Sequence, residues 1–190
     1  MSLLNSTLEE ARAACALANS YTRLGTLLEY HDRLEPDDWF RLLGEQWDTC
    51  DNIWRATGKL RSLLRANRGR LALMMTPEDC EELRKMPDRL TVYRGCSREN
   101  WDGLCWTLDP AQARGFPSLN RYRPRSGLPA LFLTGEVSRD QVAFNNRRGE
   151  REVIAYYVAV HSCDPSEPAV RIARRQVAYR VPRRGTFKHP

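Results

Sequence analysis

The hydrophobic period of this chain changes once, close to Leu90, and that change limits the fold more than any other feature. Up to Pro87 the apolar residues recur at helical spacing. Ser6 or Thr7 stands three residues before Glu9 or Glu10, a capping pair for a helix running into the Ala- and Leu-rich segment 8–28. Pro36 opens another helix, with Asp37 and Asp38 in the first turn, where the helix dipole favours acids. Trp39, Leu43, Trp47, Trp54, Leu60 and Leu64 follow at roughly helical intervals, and Gly44 and Gly58 weaken the helix between them. Tryptophan at such spacing is expected in the core. Thr76-Pro77-Glu78-Asp79 caps a short helix that Met86-Pro87 ends.

Past Leu90 short β-type runs take over: 90–93, 103–108, 131–137, 141–144 and 152–160, with a hairpin expected over 170–179. Asp109-Pro110 opens a helix over 111–116. Helices first and strands after predict an α+β protein, an N-terminal helical layer packed on a β-sheet. The boundary falls at 88, giving a helical region, 1–88, and a second region, 89–190, that ends in a basic tail. The charge changes at the same place. Residues 1–88 hold 12 Lys/Arg against 15 Asp/Glu, and residues 89–190 hold 18 against 9. A basic excess of that size favours an anionic ligand, nucleic acid or an acidic protein. Residues 117–129 read as a mobile basic loop.

The composition, 42% hydrophobic and 28% charged, is that of a globular protein. No apolar run approaches the roughly 20 residues that span a bilayer, so no membrane partner is expected. The first residues lack a positive segment and Glu9 and Glu10 interrupt any apolar one, so no signal peptide is expected. Six scattered cysteines without a Cys-x-x-Cys pair give neither a zinc site nor a disulfide framework. A cytoplasmic location and no metal are therefore expected.

The stretch Gly149-Glu150-Arg151-Glu152-Val153-Ile154 carries the clearest chemical signal. On a strand, residues two apart share a face, which places the Glu150 and Glu152 carboxylates side by side at its start. Like charges that close disfavour each other's ionisation, and a structural strand gains nothing from that. The plainer alternative is a solvated strand end neutralised by Arg147, Arg148 and Arg151. Arg94 is expected at a strand end, before a glycine that admits close approach to the backbone, and its fork suits a phosphate pair. Trp106 and Thr107 end the next strand, where a ring and a hydroxyl can hold a planar group and a sugar. The plain alternatives are a surface arginine and core strand residues.

Taken in order, Tyr93-Arg94-Gly95, then Gly103 to Asp109 with its helix, then Glu150-x-Glu152-Val-Ile resemble the ADP-ribosyltransferase fold of the Arg, Ser-Thr-Ser, Glu-x-Glu class. That class includes cholera-type toxins and phage enzymes. The resemblance spans residues 89–160 and implies a split, mixed β-sheet. It implies nicotinamide-adenine dinucleotide (NAD) as co-substrate, with Arg94, Tyr93, Gly95, Trp106 and Thr107 at the cofactor. It implies Glu152 as the catalytic glutamate, Glu150 as the carboxylate of arginine-directed transfer, and Phe144, Asn145, Asn146 and Arg147 on the loop that meets the target. Trp106 stands where the class has the serine that supports the glutamate, which leaves Cys105 or Thr107 to orient Glu152.

The implied activity is transfer of ADP-ribose from NAD to a macromolecule, with a protein arginine as the favoured acceptor. A phage or prophage effector acting in a bacterial or infected host cytoplasm fits that activity. A glycohydrolase passing ADP-ribose to water is one alternative. A nucleic-acid-binding module on a degenerate transferase fold, using the basic half, is another.

Overall fold

The computed structural model describes residues 6–118 and 130–165. The expected hairpin at 170–179, the basic tail and most of the basic loop, including Arg121 and Arg123, lie outside them. The first half is helical as its period requires: α1 (Leu8–Leu17), α2 (Arg23–Glu29), α3 (Pro36–Gln46), α4 (Thr57–Ala66) and α5 (Pro77–Lys85), joined by 3-10 turns. Thr7 and Glu10 form the capping box of α1, and Thr76 and Asp79 that of α5.

Two local expectations are corrected. The segment 8–28 is not one helix, because Ala18 turns extended and the Asn19 side-chain oxygen accepts from the amides of Tyr21 and Thr22. An Asn side chain that offers the backbone such a turn competes with the helix. Gly44 does not break α3. It stands where a Cβ would lie 2.2 Å from the Met74 carbonyl oxygen, so it admits the backbone of the 3-10 segment Arg68–Met74 against the helix.

The second half supplies β1 (Arg89–Ser97), β2 (Cys105–Thr107), α6 (Pro110–Gly115), β3 (Ala130–Ser138), β4 (Val142–Asn145), β5 (Glu152–Ala155) and β6 (Ala159–Pro165). They form a six-stranded sheet in the order β4-β5-β2-β1-β3-β6. Every described pairing is antiparallel, so the sheet is not mixed. The halves β4-β5-β2 and β1-β3-β6 meet at a single registered pair, Tyr93 with Thr107. β1 continues past Arg94, and Arg94 therefore lies inside a strand rather than at its end. The run 152–160 divides at Tyr156–Val158 into β5 and β6, which lie at different places in the sheet.

Two apolar clusters hold the fold. One joins α1–α4 (Leu27, Trp39, Phe40, Leu43, Leu60, Leu64) to Leu104, Ala143, Ile154 and Tyr156 of the second half. The other packs Leu83 of α5 against Leu90, Val92, Trp106, Phe144 and Val153. The helical layer and the sheet thus share a core. Among the described residues, no helix is long and apolar enough to cross a membrane.

Candidate active-site cleft

A cleft of about 290 Å³ opens between the helical layer and the seam of the sheet. Tyr93, Arg94 and Gly95 of β1, Trp106 and Thr107 of β2, and Glu150 and Glu152 before and on β5 all line it. The seven residues expected to hold the dinucleotide and act on it therefore share one cavity wall. Strand alternation does not pair the two glutamates, contrary to expectation. β5 begins at Glu152, and Arg151 sits at φ +47°, in the left-handed region. A turn, not strand alternation, brings Glu150 into the same cleft.

Glu152 is partly buried. Its Oε1 accepts from the indole Nε1 of Trp47 at 3.1 Å. Burial raises the Glu152 pKa above the ordinary carboxylate value, and the nearby Glu150 and Asp48 charges add to the rise. Hydrogen bonds from the Cys105 thiol and Trp47 oppose it. Burial likewise holds the Cys105 thiol well above its usual pKa, with the Glu152 charge adding, so it stays a protonated donor. Of the two residues expected to orient Glu152, Cys105 is the one whose side chain interacts with its carboxylate. Thr107 serves its neighbour: its hydroxyl donates to the Glu150 carbonyl at 2.6 Å and accepts from the Asp109 amide at 3.0 Å. With the Leu108 amide donating to the Arg151 carbonyl, this pins the turn that presents Glu150.

The Arg94 guanidinium braces the seam. It donates to the carbonyls of Cys105 and Asn100, and a Cβ on Gly103 would lie 2.1 Å from its Nη2. Its Nε is buried without a partner among the described residues. The group that needs the space at Gly95 is the Ala113 carbonyl of α6, 1.7 Å from where a Cβ would be. Tyr93 stacks on Phe132 at 5.8 Å, and the Arg114 guanidinium covers the Phe132 ring at 3.9 Å.

None of the four residues expected on a target-meeting loop lines this cleft. Phe144 is fully buried core, and Asn145 ends β4, buried beside Glu152 in register. Asn146 bonds to Asp79 and Glu82 of α5, and Arg147 donates to the Gly44 carbonyl at 2.8 Å. They tie the β4–β5 loop to the helical layer. Their neighbour Arg148 does line the cleft, 3.8 Å from Asp48.

The helical layer contributes a wall that sequence reasoning missed: Tyr21, Trp47, Asp48, Asn52, Trp54 and Arg55. Trp54, expected in the core, is 37% exposed, with the Arg55 guanidinium 5.5 Å from its ring. Asn52 holds the wall's turn at φ +59°, a conformation Asn tolerates better than most residues. Among the described residues, five carboxyl groups (Asp48, Asp51, Glu99, Glu150, Glu152) line the cleft against three guanidinium groups (Arg55, Arg94, Arg148). The basic excess of the second half is therefore not concentrated here among the described residues.

The fold and site together define an α+β protein with a carboxylate-bearing cleft at the seam of an antiparallel sheet. No protein-family model, curated protein or solved structure matches the chain.

Proposed function

We propose that this chain is a mono-ADP-ribosyltransferase that moves ADP-ribose from NAD to an arginine of a protein. The observation that carries the reading is the meeting in one cleft of three segments far apart in sequence: Tyr93-Arg94-Gly95, Trp106-Thr107 and Glu150-x-Glu152. Cleavage of the bond between nicotinamide and the ribose anomeric carbon builds positive charge on the sugar. Glu152, ionised, accepts a hydrogen bond from the ribose 2′-hydroxyl and stabilises that charge where it develops. Nicotinamide leaves with the bonding electron pair. A guanidinium nitrogen of the acceptor forms the new bond, and its proton passes to Glu150.

Among the described residues carboxylates outnumber guanidinium groups in the cleft, which favours a cationic acceptor over a polyanion and supports protein arginine rather than nucleic acid. Arg94, Arg148 and Arg55 offset the pyrophosphate charge. The test is incubation of the chain with NAD labelled in its ADP-ribose and a cell lysate, followed by mass spectrometry of labelled proteins. Modified arginine is expected. Glu150→Gln is expected to lose that product while slow nicotinamide release persists, because water needs less help than a guanidinium to trap the sugar cation. Nicotinamide release without any modified macromolecule makes the chain a glycohydrolase. No consumption of NAD refutes the reading.

A further inference from the structure

We infer that Trp47, a core residue of the helical layer, is a positioning residue for the Glu152 carboxylate. The inference rests on reading Glu152 as the acting group. Trp47 and Glu152 stand 105 positions apart, and their contact is a direct hydrogen bond of 3.1 Å. Trp47 is 1% exposed, wedged in the cluster that joins α1–α4 to the sheet. Its ring is packed in that cluster, so the direction of its N–H is set by the packing of the layer.

An indole N–H is a donor only. It suits an ionised carboxylate better than a neutral acid, and a donor bonded to the charged form stabilises that form. Trp39 gives the contrast within the same cluster. It is equally buried, and its Nε1 donates to the Leu27 backbone carbonyl at 2.7 Å, the ordinary way to satisfy a buried indole. Trp47 instead spends its donor on a side chain that lines a cleft.

The other groups facing Glu152 are Cys105 on β2, Glu150 on the turn before β5 and Asp48 after α3. Arg94, Arg148 and Tyr93 share the cleft. Among the described residues, Trp47 is the side chain of the helical layer that donates to the carboxylate, and the Cys105 thiol of β2 interacts with it from the sheet. Without Trp47 the carboxylate keeps the thiol and loses its fixed orientation.

The experiment is a pH titration of the full chain by NMR, with the glutamate side-chain carboxyl carbons and the tryptophan indole nitrogens labelled. In the wild type, the Trp47 indole resonance is expected to move with the same midpoint as the Glu152 carboxyl. In Trp47→Phe the Glu152 midpoint is expected to rise by about half a pH unit or more, as removal of a donor to the charged form requires. Trp39→Phe, the matched loss of a buried indole N–H, should leave it in place.

Nicotinamide release by Trp47→Phe should show kcat lowered about tenfold. KM for NAD should be unchanged, and the acid limb of the rate profile should move to higher pH. An indole resonance that stays flat through the Glu152 titration overturns the inference, as does a midpoint that is the same in both variants. If Trp47→Phe does not fold, the wild-type indole titration decides alone. A shifted midpoint in a chain that turns over no NAD upholds the Trp47–Glu152 coupling and removes the transferase reading, so the two failures are told apart.

Discussion

The helical layer and the sheet region each close a core around a glycine that admits a neighbouring backbone, and there the likeness ends. In the helical layer Gly44 receives Met74, and the buried residues are leucines and large aromatics. In the sheet region Gly95 receives Ala113 of α6, and the cluster is rich in Val and Leu. The acidic layer meets the basic region through named contacts. Asn146 reaches Asp79 and Glu82, Arg147 and Arg148 each lie 3.8 Å from Asp48, and Arg151 lies 3.7 Å from Glu82. Part of the charge asymmetry seen in the sequence is thus spent at the seam between the regions. The sheet carries the residues expected to do chemistry, and the layer supplies the donor that holds one of them. The difference teaches that a core tryptophan is more than packing when its N–H is satisfied by a carboxylate in a cleft.

The largest effect tests the division of labour between the regions. Glu152→Gln is expected to lower nicotinamide release and transfer by about 10²–10³-fold, typical for loss of one electrostatic group acting on a transition state. The same variant should be more heat-stable than the wild type at neutral pH. Burial makes the folded chain hold the Glu152 proton more tightly than the unfolded chain does. The stability this contributes is whole below the unfolded value of about 4.3 and is lost as pH rises through the folded value. The melting temperatures of the two proteins should therefore converge in acid. A variant that melts lower at neutral pH would mean that the ionised carboxylate is held favourably, contrary to its raised pKa.

Arg94→Ala should cost about 1.5–3 kcal/mol in urea unfolding, because the carbonyls of Cys105 and Asn100 lose a charged donor. Unchanged stability would show that the brace between β1 and β2 is dispensable. Gly44→Ala and Gly95→Ala sharpen the likeness between the regions, since in each the added carbon meets backbone that must shift. Each should cost roughly 1–3 kcal/mol, and each should lower one common unfolding transition. Two separate transitions would break the shared core. The smallest effect is at the seam's surface, where Arg148→Ala should change stability by about 0–1 kcal/mol, the range of exposed ion pairs. That difference should shrink as salt is added.

Most of the architecture was legible because period, caps and turn residues agree. Thr7, Pro36, Thr76 and Asp109 each begin the helix their chemistry announces. The cleft side of the sheet was legible too, since Arg94 and Glu152 are unusual residues for strands. The other wall was not. Trp47 has the spacing of a core residue and is one, and no local pattern tells which acceptor its N–H finds 105 positions away. The loop 144–148 misled for a related reason. Its polar residues read as target-facing, yet Asn146 and Arg147 are consumed in holding the loop to α5 and α3. The turn at Arg151 was hidden because a left-handed arginine has no sequence signature, unlike a glycine.

The most direct measurement is chromatography of nicotinamide released from NAD by the full chain, with Glu152→Gln measured beside it at the same concentration and with its fold checked by circular dichroism. Nicotinamide that accumulates with the wild type and falls at least a hundredfold with the variant is the result predicted here. Equal release by both, or none by the wild type with or without a protein acceptor, would contradict the assignment of this cleft to NAD-dependent transfer.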